Sequence, residues 1–363
     1  MSPQTPAHRL VAQRIASEGP LPFDAVMETA LYHPEHGYYE NPGLEIGRQG
    51  DFITSVSVGP VFGALLAFEF RRRLSAMNGA MVIEAGAHDG QLARDILDHW
   101  PVEERPEGFR YRIIEPSPVR RRRQENQLAA HGDVVDWTET LEDFEDGSIR
   151  GLVFGNELLD AFPVRVLQWD AEERVWFERC VGLEPATQRL IWETDTTAPA
   201  KDLPDRFKLP EAMTQVLPNG FLTEFCPSAA RWWAAAAAKL EAGRLIAIDY
   251  GWREHGWLEP GRTQGTVRAY HQHRMAGDLL ANLGEQDLTA HVAFPDVAEA
   301  GKRAGVSDTD LRTQSQFLTA IAKSWWEGPE AGTWRPEWNR GFHTLVDPNQ
   351  FGHRFHVLEQ RKP

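Results

Sequence analysis

Cysteine is nearly missing from this 363-residue chain. Only Cys180 and Cys226 are present, so neither a disulfide framework nor a thiolate zinc site is on offer. No apolar run reaches the ~20 residues that a membrane-spanning helix needs. Basic charge is scarce as well: 38 Lys and Arg face 53 Asp and Glu, for a net charge of −15. That balance argues against a nucleic-acid partner and against an anionic membrane surface. The first twenty residues carry Arg9 and Arg14 but no apolar signal core, which gives the expectation of a cytoplasmic protein. No internal repeat is present. The histidine pairs His33/His36, His271/His273 and His353/His356 lack completing ligands at a sensible spacing, so no metal site is expected. What remains is an ordinary globular composition, 42% hydrophobic and 25% charged, long enough for one large domain or two ordinary ones.

The stretch that organises the chain is Met81 to Leu97, MVIEAGAHDGQLARDIL. A short apolar run ends on an acid, Glu84. A turn of small residues follows, from Gly86 through His88 to Gly90, and then an amphipathic stretch carries Leu92, Ile96 and Leu97 on one face. Strand, tight turn and helix in that order aim free backbone amides at a ligand. The middle glycine of a nucleotide loop is missing, because His88 occupies it; His and Asp tolerate left-handed dihedrals better than most residues.

The opening eighty residues read as a helical cap, with helical spacing over His8–Ile15, Phe23–Tyr32 and Val58–Leu74. From Met81 strands and helices alternate. Tyr111–Glu115 is a second strand ending on an acid, Val134–Trp137 a third and Gly151–Asn156 a fourth. Leu245–Gly251 and Phe355–Leu358 are further core strands. Between them, Val164–Trp169 and Arg174–Cys180 read as an antiparallel hairpin within an insertion at about 164–227. The alternation predicts an α/β fold with a doubly wound parallel sheet, whose ligand sits beyond the carboxyl ends of the strands. Glu84, Glu115, Asp136 and Asn156 would gather there.

Several strings together resemble one family, the MidA-like proteins, which include the mitochondrial complex I assembly methyltransferase. They are ALYHPEHGYY, GDFITS, VIEAGAHDGQL, IIEPSP, GNELLDAFPV, LIAIDYG, GTVRAY, DLTAHVAF and FHVL, in the family's order and across nearly the whole chain. The resemblance implies a Rossmann-like class I methyltransferase fold over residues 81–363, behind a cap and lid at 1–80, and S-adenosyl-L-methionine as cofactor. It also implies methylation of a protein arginine in respiratory-complex assembly. By position, Glu84, Gly86 and Gly90, with His88 in the turn, would hold the methionine and ribose end of the cofactor. Glu115 would take the ribose hydroxyls, Asp136 would lie near the adenine, and Trp137 could stack on it. Asn156 and Glu157 would border the sulfonium, and Asp51, Thr54 and Ser55 would fold over the pocket. The chain departs from the family at His88-Asp89, at Val56-Ser57 and at Ala293.

Glu157 and Asp160 are three apart, and on a helical turn they would share a face able to grip a guanidinium. Asp249 would arrive on the neighbouring strand, so Glu157, with Asp160 or Asp249, forms the expected catalytic set. Simpler tasks compete with these. Asp160 and Asp249 could bond to nearby backbone, Thr54 and Ser55 could cap a helix, and Trp137 could be a core aromatic. The acceptor is a protein or a small molecule, His271 being the candidate base for an oxygen nucleophile. A non-catalytic assembly factor is the rival from another class. A second copy of the chain is a further candidate partner, with the tryptophan-rich tail as core or dimer contact.

Overall fold

Short apolar runs of the sequence become neighbouring strands because only pairing with one another satisfies their buried amides. The computed structural model describes residues 4–41, 54–75, 77, 79–272 and 274–363. Its chain forms two compact units. One comprises Ile46–Leu159, Ala230–Gly251 and Val297–Pro363; the other comprises Met1–Glu45, Asp160–Ala229 and Trp252–Asp296.

The first unit is built on seven strands: β1 (Met81–Ala85), β2 (Arg110–Ile114), β3 (Val135–Thr138), β4 (Ile149–Asn156), β5 (Leu240–Trp252), β6 (Asp308–Thr313) and β7 (Phe355–Lys362). Their order is β6-β7-β5-β4-β1-β2-β3. The run from β5 to β3 is parallel, and β7 lies antiparallel between β5 and β6. This is the expected doubly wound α/β sheet, with strand order reversing beside β1. Tyr111 and Ile113, Leu152 and Phe154, and Ile246 and Ile248 all enter one buried apolar cluster. That cluster also holds residues of α1 (Val61–Leu74), α2 (Gln91–Asp98), α4 (Gln314–Glu327) and α5 (Trp338–Val346); α3 (Pro118–Gln127) follows β2.

The expected boundary at residue 80 is not where the chain divides. α1 buries Phe62, Leu65, Leu66 and Phe70 in the same cluster as Val82 and Tyr111 of the sheet. A helix apolar nearly all round belongs to a core and not to a cap. The insertion is also larger than the hairpin pattern indicated, since residues 160–229 and 252–296 share a unit with the first 45. Tail residues Trp325 and Trp338 are core, with Trp334 and Phe342 packed against them.

In the second unit, Arg165–Asp170 and Val175–Leu183 pair as the expected antiparallel hairpin, joined by Leu190–Asp195 and Leu222–Phe225. Helices Pro6–Glu18 and Phe23–Tyr32 place Val11, Phe23, Met27 and Leu31 in one cluster with Val166 and Val181. Several family strings prove to be internal ties here. The Tyr39 hydroxyl donates to Asp287 Oδ1 at 2.9 Å. Glu224, almost fully buried, accepts from the Thr266 and Val267 amides at 2.6 and 3.1 Å and from the Thr266 hydroxyl at 3.0 Å. His271, the candidate base, is half-buried with its Nδ1 at 2.8 Å from the Glu285 carbonyl.

Candidate functional site

Strand register decides which of the expected residues share a rim. β1 sets Glu84 and Ala85 opposite Phe154 and Gly155 of β4 and opposite Ile113 and Ile114 of β2. β5 sets Ile248 opposite Asn156. Glu84–Gly86, Glu115, Asn156–Glu157 and Asp249 therefore leave the sheet at neighbouring carboxyl ends, where a doubly wound fold binds its ligand. Asp136 does not join them. It pairs with Arg112, two residues short of the Ile114–Thr138 pair that ends β2 and β3, and its carboxylate binds the Arg112 guanidinium, with Nη2 to Oδ2 at 3.1 Å. The register thus sets Asp136 back from the strand ends that carry Glu84 and Glu115, with its carboxylate on the Arg112 guanidinium.

Glu84 is 2% exposed, and the Tyr111 hydroxyl donates to its Oε2 at 2.6 Å. Burial pushes its carboxyl up to about 7; the Tyr111 bond pulls it down and the Asp89 charge adds to the rise. An acid raised in the fold stabilises below its ordinary value near 4.5, and that contribution fades as pH rises through 7. A cation bound beside Glu84 reverses the preference, because it favours the carboxylate. Affinity for S-adenosylhomocysteine, whose amino group is cationic, should accordingly weaken about tenfold from pH 8 to pH 6. Calorimetry in two buffers should also register proton release, and E84Q should flatten the profile. A flat wild-type profile would detach Glu84 from the ligand.

The turn after β1 survives its missing glycine. Gly86, His88 and Gly90 take φ of 76°, 48° and 87°, so the imidazole-bearing residue adopts the left-handed conformation the turn requires. The His88 ring lies over its neighbour, with Nδ1 3.6 Å from Asp89 Oδ1. Burial raises the Asp89 carboxyl, but the His88 bond and charge and the Gln91 amide outweigh it, leaving the group below its ordinary value. Asp89 also accepts from the Gln91 amide at 3.0 Å, which satisfies the first amide of α2.

Glu115 is 3% exposed and heavily engaged. Its Oε1 accepts from the Ser117 amide and from Arg120 Nε, both at 2.9 Å, and its Oε2 accepts from Gln124 Nε2 at 2.9 Å. Gln124 and Arg120 are further functional candidates, absent from the residues expected from sequence. The signal lay in the i, i+4 spacing of Arg120 and Gln124 behind the Ser117 cap, which puts both over Glu115. Trp137 packs against the core, donates to Gln124 Oε1 at 2.9 Å and has the Arg121 guanidinium 5.8 Å from its ring centroid.

At the tip of β4, Asn156 is 8% exposed and its Oδ1 is a buried acceptor without a hydrogen-bond partner among the described residues. Such an atom is costly unless a ligand or water completes it. Glu157 follows with φ 51°, a strained conformation for a residue with a side chain. Its amide donates to the Ile248 carbonyl at 2.8 Å. Its Oε1 accepts from the Ser55 amide and from Asn156 Nδ2, each at 3.2 Å. Ser55 is fully buried, and its hydroxyl donates to Gln314 at 3.2 Å. Thr54 takes the simpler of its two tasks, its hydroxyl accepting from the Ser57 amide at 3.2 Å. Asp51 lies outside the described residues.

The two acids expected to assist Glu157 behave differently. Asp249, 1% exposed, accepts from the Leu158 and Leu159 amides at 3.2 and 2.9 Å and from the Tyr250 amide at 2.9 Å. These bonds tie it to the chain that follows Glu157. Asp160 does not share a helical face with Glu157, because the positive φ at 157 breaks the spacing and the helical turn begins only at Leu159. Asp160 is buried in the second unit, where its carbonyl accepts from Ala290 at 2.9 Å.

This rim suits an adenosylated amino acid. The left-handed turn keeps side chains off the backbone, buried Glu84 and the unmatched Asn156 oxygen answer an ammonium group, and Glu115 offers a fixed acceptor. Among the described residues no cluster of His, Cys, Asp and Glu is placed to hold a metal ion.

Comparisons with known proteins agree with that geometry. Residues 65–310 match the family described as "Putative S-adenosyl-L-methionine-dependent methyltransferase". A Burkholderia thailandensis protein solved with S-adenosyl-homocysteine bound superposes with a TM-score of 0.83 at 29% identity, covering 98% of this chain and 92% of that one. The protein arginine methyltransferase NDUFAF7 homolog, mitochondrial, of Drosophila melanogaster is 28% identical over 95% of this chain and 82% of its own length. The Homo sapiens protein arginine methyltransferase NDUFAF7, mitochondrial, is 24% identical over 98% and 83%. These names overturn the cytoplasmic expectation. Both curated relatives are mitochondrial, and neither composition nor the lack of a signal core carries information that separates the two compartments.

Proposed function

This chain belongs to the S-adenosyl-L-methionine-dependent methyltransferase family, and from that premise we propose that it methylates an arginine side chain of a protein. Glu84, Gly86, Gly90, Glu115 and Asn156 are the residues assigned to the cofactor, and Glu157 is assigned to the acceptor. The cofactor supplies an electrophilic methyl group on a cationic sulfur and departs as a neutral thioether. The protein's tasks are then alignment, dehydration and management of the acceptor's charge.

The observation that carries the proposal is Glu157. It is a carboxylate in a strained backbone conformation at the strand tip, beside an unmatched buried acceptor, with its Oε1 held by two donors. A carboxylate so fixed can hold a guanidinium by charge-assisted hydrogen bonds and later receive the proton that methylation releases. The arginine acceptor is supported by the names of the curated relatives. A subunit of a respiratory complex is the acceptor that the MidA-like resemblance implies.

The test is mass spectrometry of protein arginines from cells with and without the gene, alongside the purified enzyme with methyl-labelled cofactor. A methylarginine lost with the gene and restored by the enzyme is the expected result. Label transferred only to small molecules would favour the oxygen-nucleophile alternative and overturn the arginine reading.

A further inference from the structure

Gln124 is fully buried on α3, a helix otherwise dominated by charged side chains. An amide in that position has four hydrogen-bonding capacities to satisfy, and their direction is informative. Nε2 donates to two acceptors at once, the His88 carbonyl and Glu115 Oε2, each at 2.9 Å. Oε1 accepts from the Trp137 indole at 2.9 Å. The three partners come from three separate segments: the turn after β1, the end of β2 and strand β3. The amide cannot be flipped without opposing a donor to the indole N–H and an acceptor to the Glu115 carboxylate.

We propose that Gln124 is the positioning residue of the cofactor site, setting the glycine turn, the Glu115 carboxylate and the Trp137 ring at fixed separation before ligand arrives. This rests on the assignment of that rim to the cofactor. The proposal explains two features otherwise unconnected. His88 stands in the left-handed conformation without a glycine's freedom, and the Gln124 bond to its carbonyl helps hold it there. Glu115 lies in a buried position with three donors on it, and one of them belongs to the same amide that restrains the turn. Gly90 completes the arrangement: a β-carbon there would sit 3.4 Å from the Gln124 backbone, so α3 packs close against the turn.

Removing the amide should loosen all three partners together. Calorimetry with S-adenosylhomocysteine is expected to show Q124A binding at least about tenfold more weakly than wild type. The isosteric Q124E supplies the discriminating readout. Its carboxylate would face Glu115 and the His88 carbonyl, and two carboxylates in contact cannot both ionise cheaply. The ratio of Q124E to wild-type dissociation constants should therefore exceed about tenfold at pH 8 and shrink to within about threefold near pH 5.5. A merely structural defect would leave that ratio unchanged with pH. Should Q124A fail to fold, the Q124E profile decides alone. Q124A within twofold of wild type, or a pH-independent Q124E ratio, overturns the proposal. E84Q and E115Q are run beside them. If both bind like wild type, the rim assignment itself fails; if they weaken and Gln124 variants do not, only the Gln124 inference falls.

Discussion

Glu157→Gln is expected to cut methyl transfer by about 100-fold or more while S-adenosylhomocysteine affinity stays within about threefold. The substitution keeps shape and keeps an oxygen that can accept from the Ser55 amide and Asn156 Nδ2. It removes the negative charge and the capacity to take a proton. Those are the two things a guanidinium acceptor needs from its neighbour, whereas a neutral departing thioether needs neither. Steady-state turnover measured with calorimetry on the same preparation separates the outcomes. Normal turnover would remove Glu157 from the chemistry. Equal loss of turnover and cofactor affinity would make it part of the cofactor's own site.

The second large effect belongs to Asp249→Ala. Three amides, the buried one of Leu159 and the part-buried ones of Leu158 and Tyr250, lose their acceptor. Leaving such donors unsatisfied costs about 3 kcal/mol in all, which corresponds to a melting temperature lower by about 6–12 °C. The strained φ of 51° at Glu157 is sustained by the chain on either side, and Asp249 secures the following side. Turnover should consequently fall by about 100-fold as Glu157 loses its place. Asp249→Asn, which retains one acceptor oxygen, should lie between wild type and the alanine variant. A variant that melts and turns over like wild type would show that the loop holds itself.

Both effects come from residues whose existence was plain in the chain and whose division of labour was not. Asp249 precedes Tyr250-Gly251, and Asp160 follows Glu157 at helical spacing, so each was a fair candidate to assist it. The backbone at Glu157 decides otherwise. One left-handed residue interrupts the helical count, and the acid on β5 is drawn onto the freed amides. Asp136 is the parallel case on the other side of the sheet. Its position at the end of a predicted strand pointed to the rim, but the β2–β3 register sets it beside Arg112.

The sequence by itself determined the doubly wound sheet and the left-handed turn after β1. Alternating apolar runs and helical periods are local patterns, and burying them leaves few other arrangements. It also carried the family, through strings that now divide between turns at the carboxyl ends of strands and internal ties such as Tyr39 with Asp287. Tertiary structure alone decided that α1 is core, that Arg120 and Gln124 serve Glu115, and that Asp249 holds backbone. Those outcomes depend on register and on which donor reaches which acceptor across the fold. Hydrogen bonds are satisfied by distance and direction, neither of which is written in the spacing of residues along a chain.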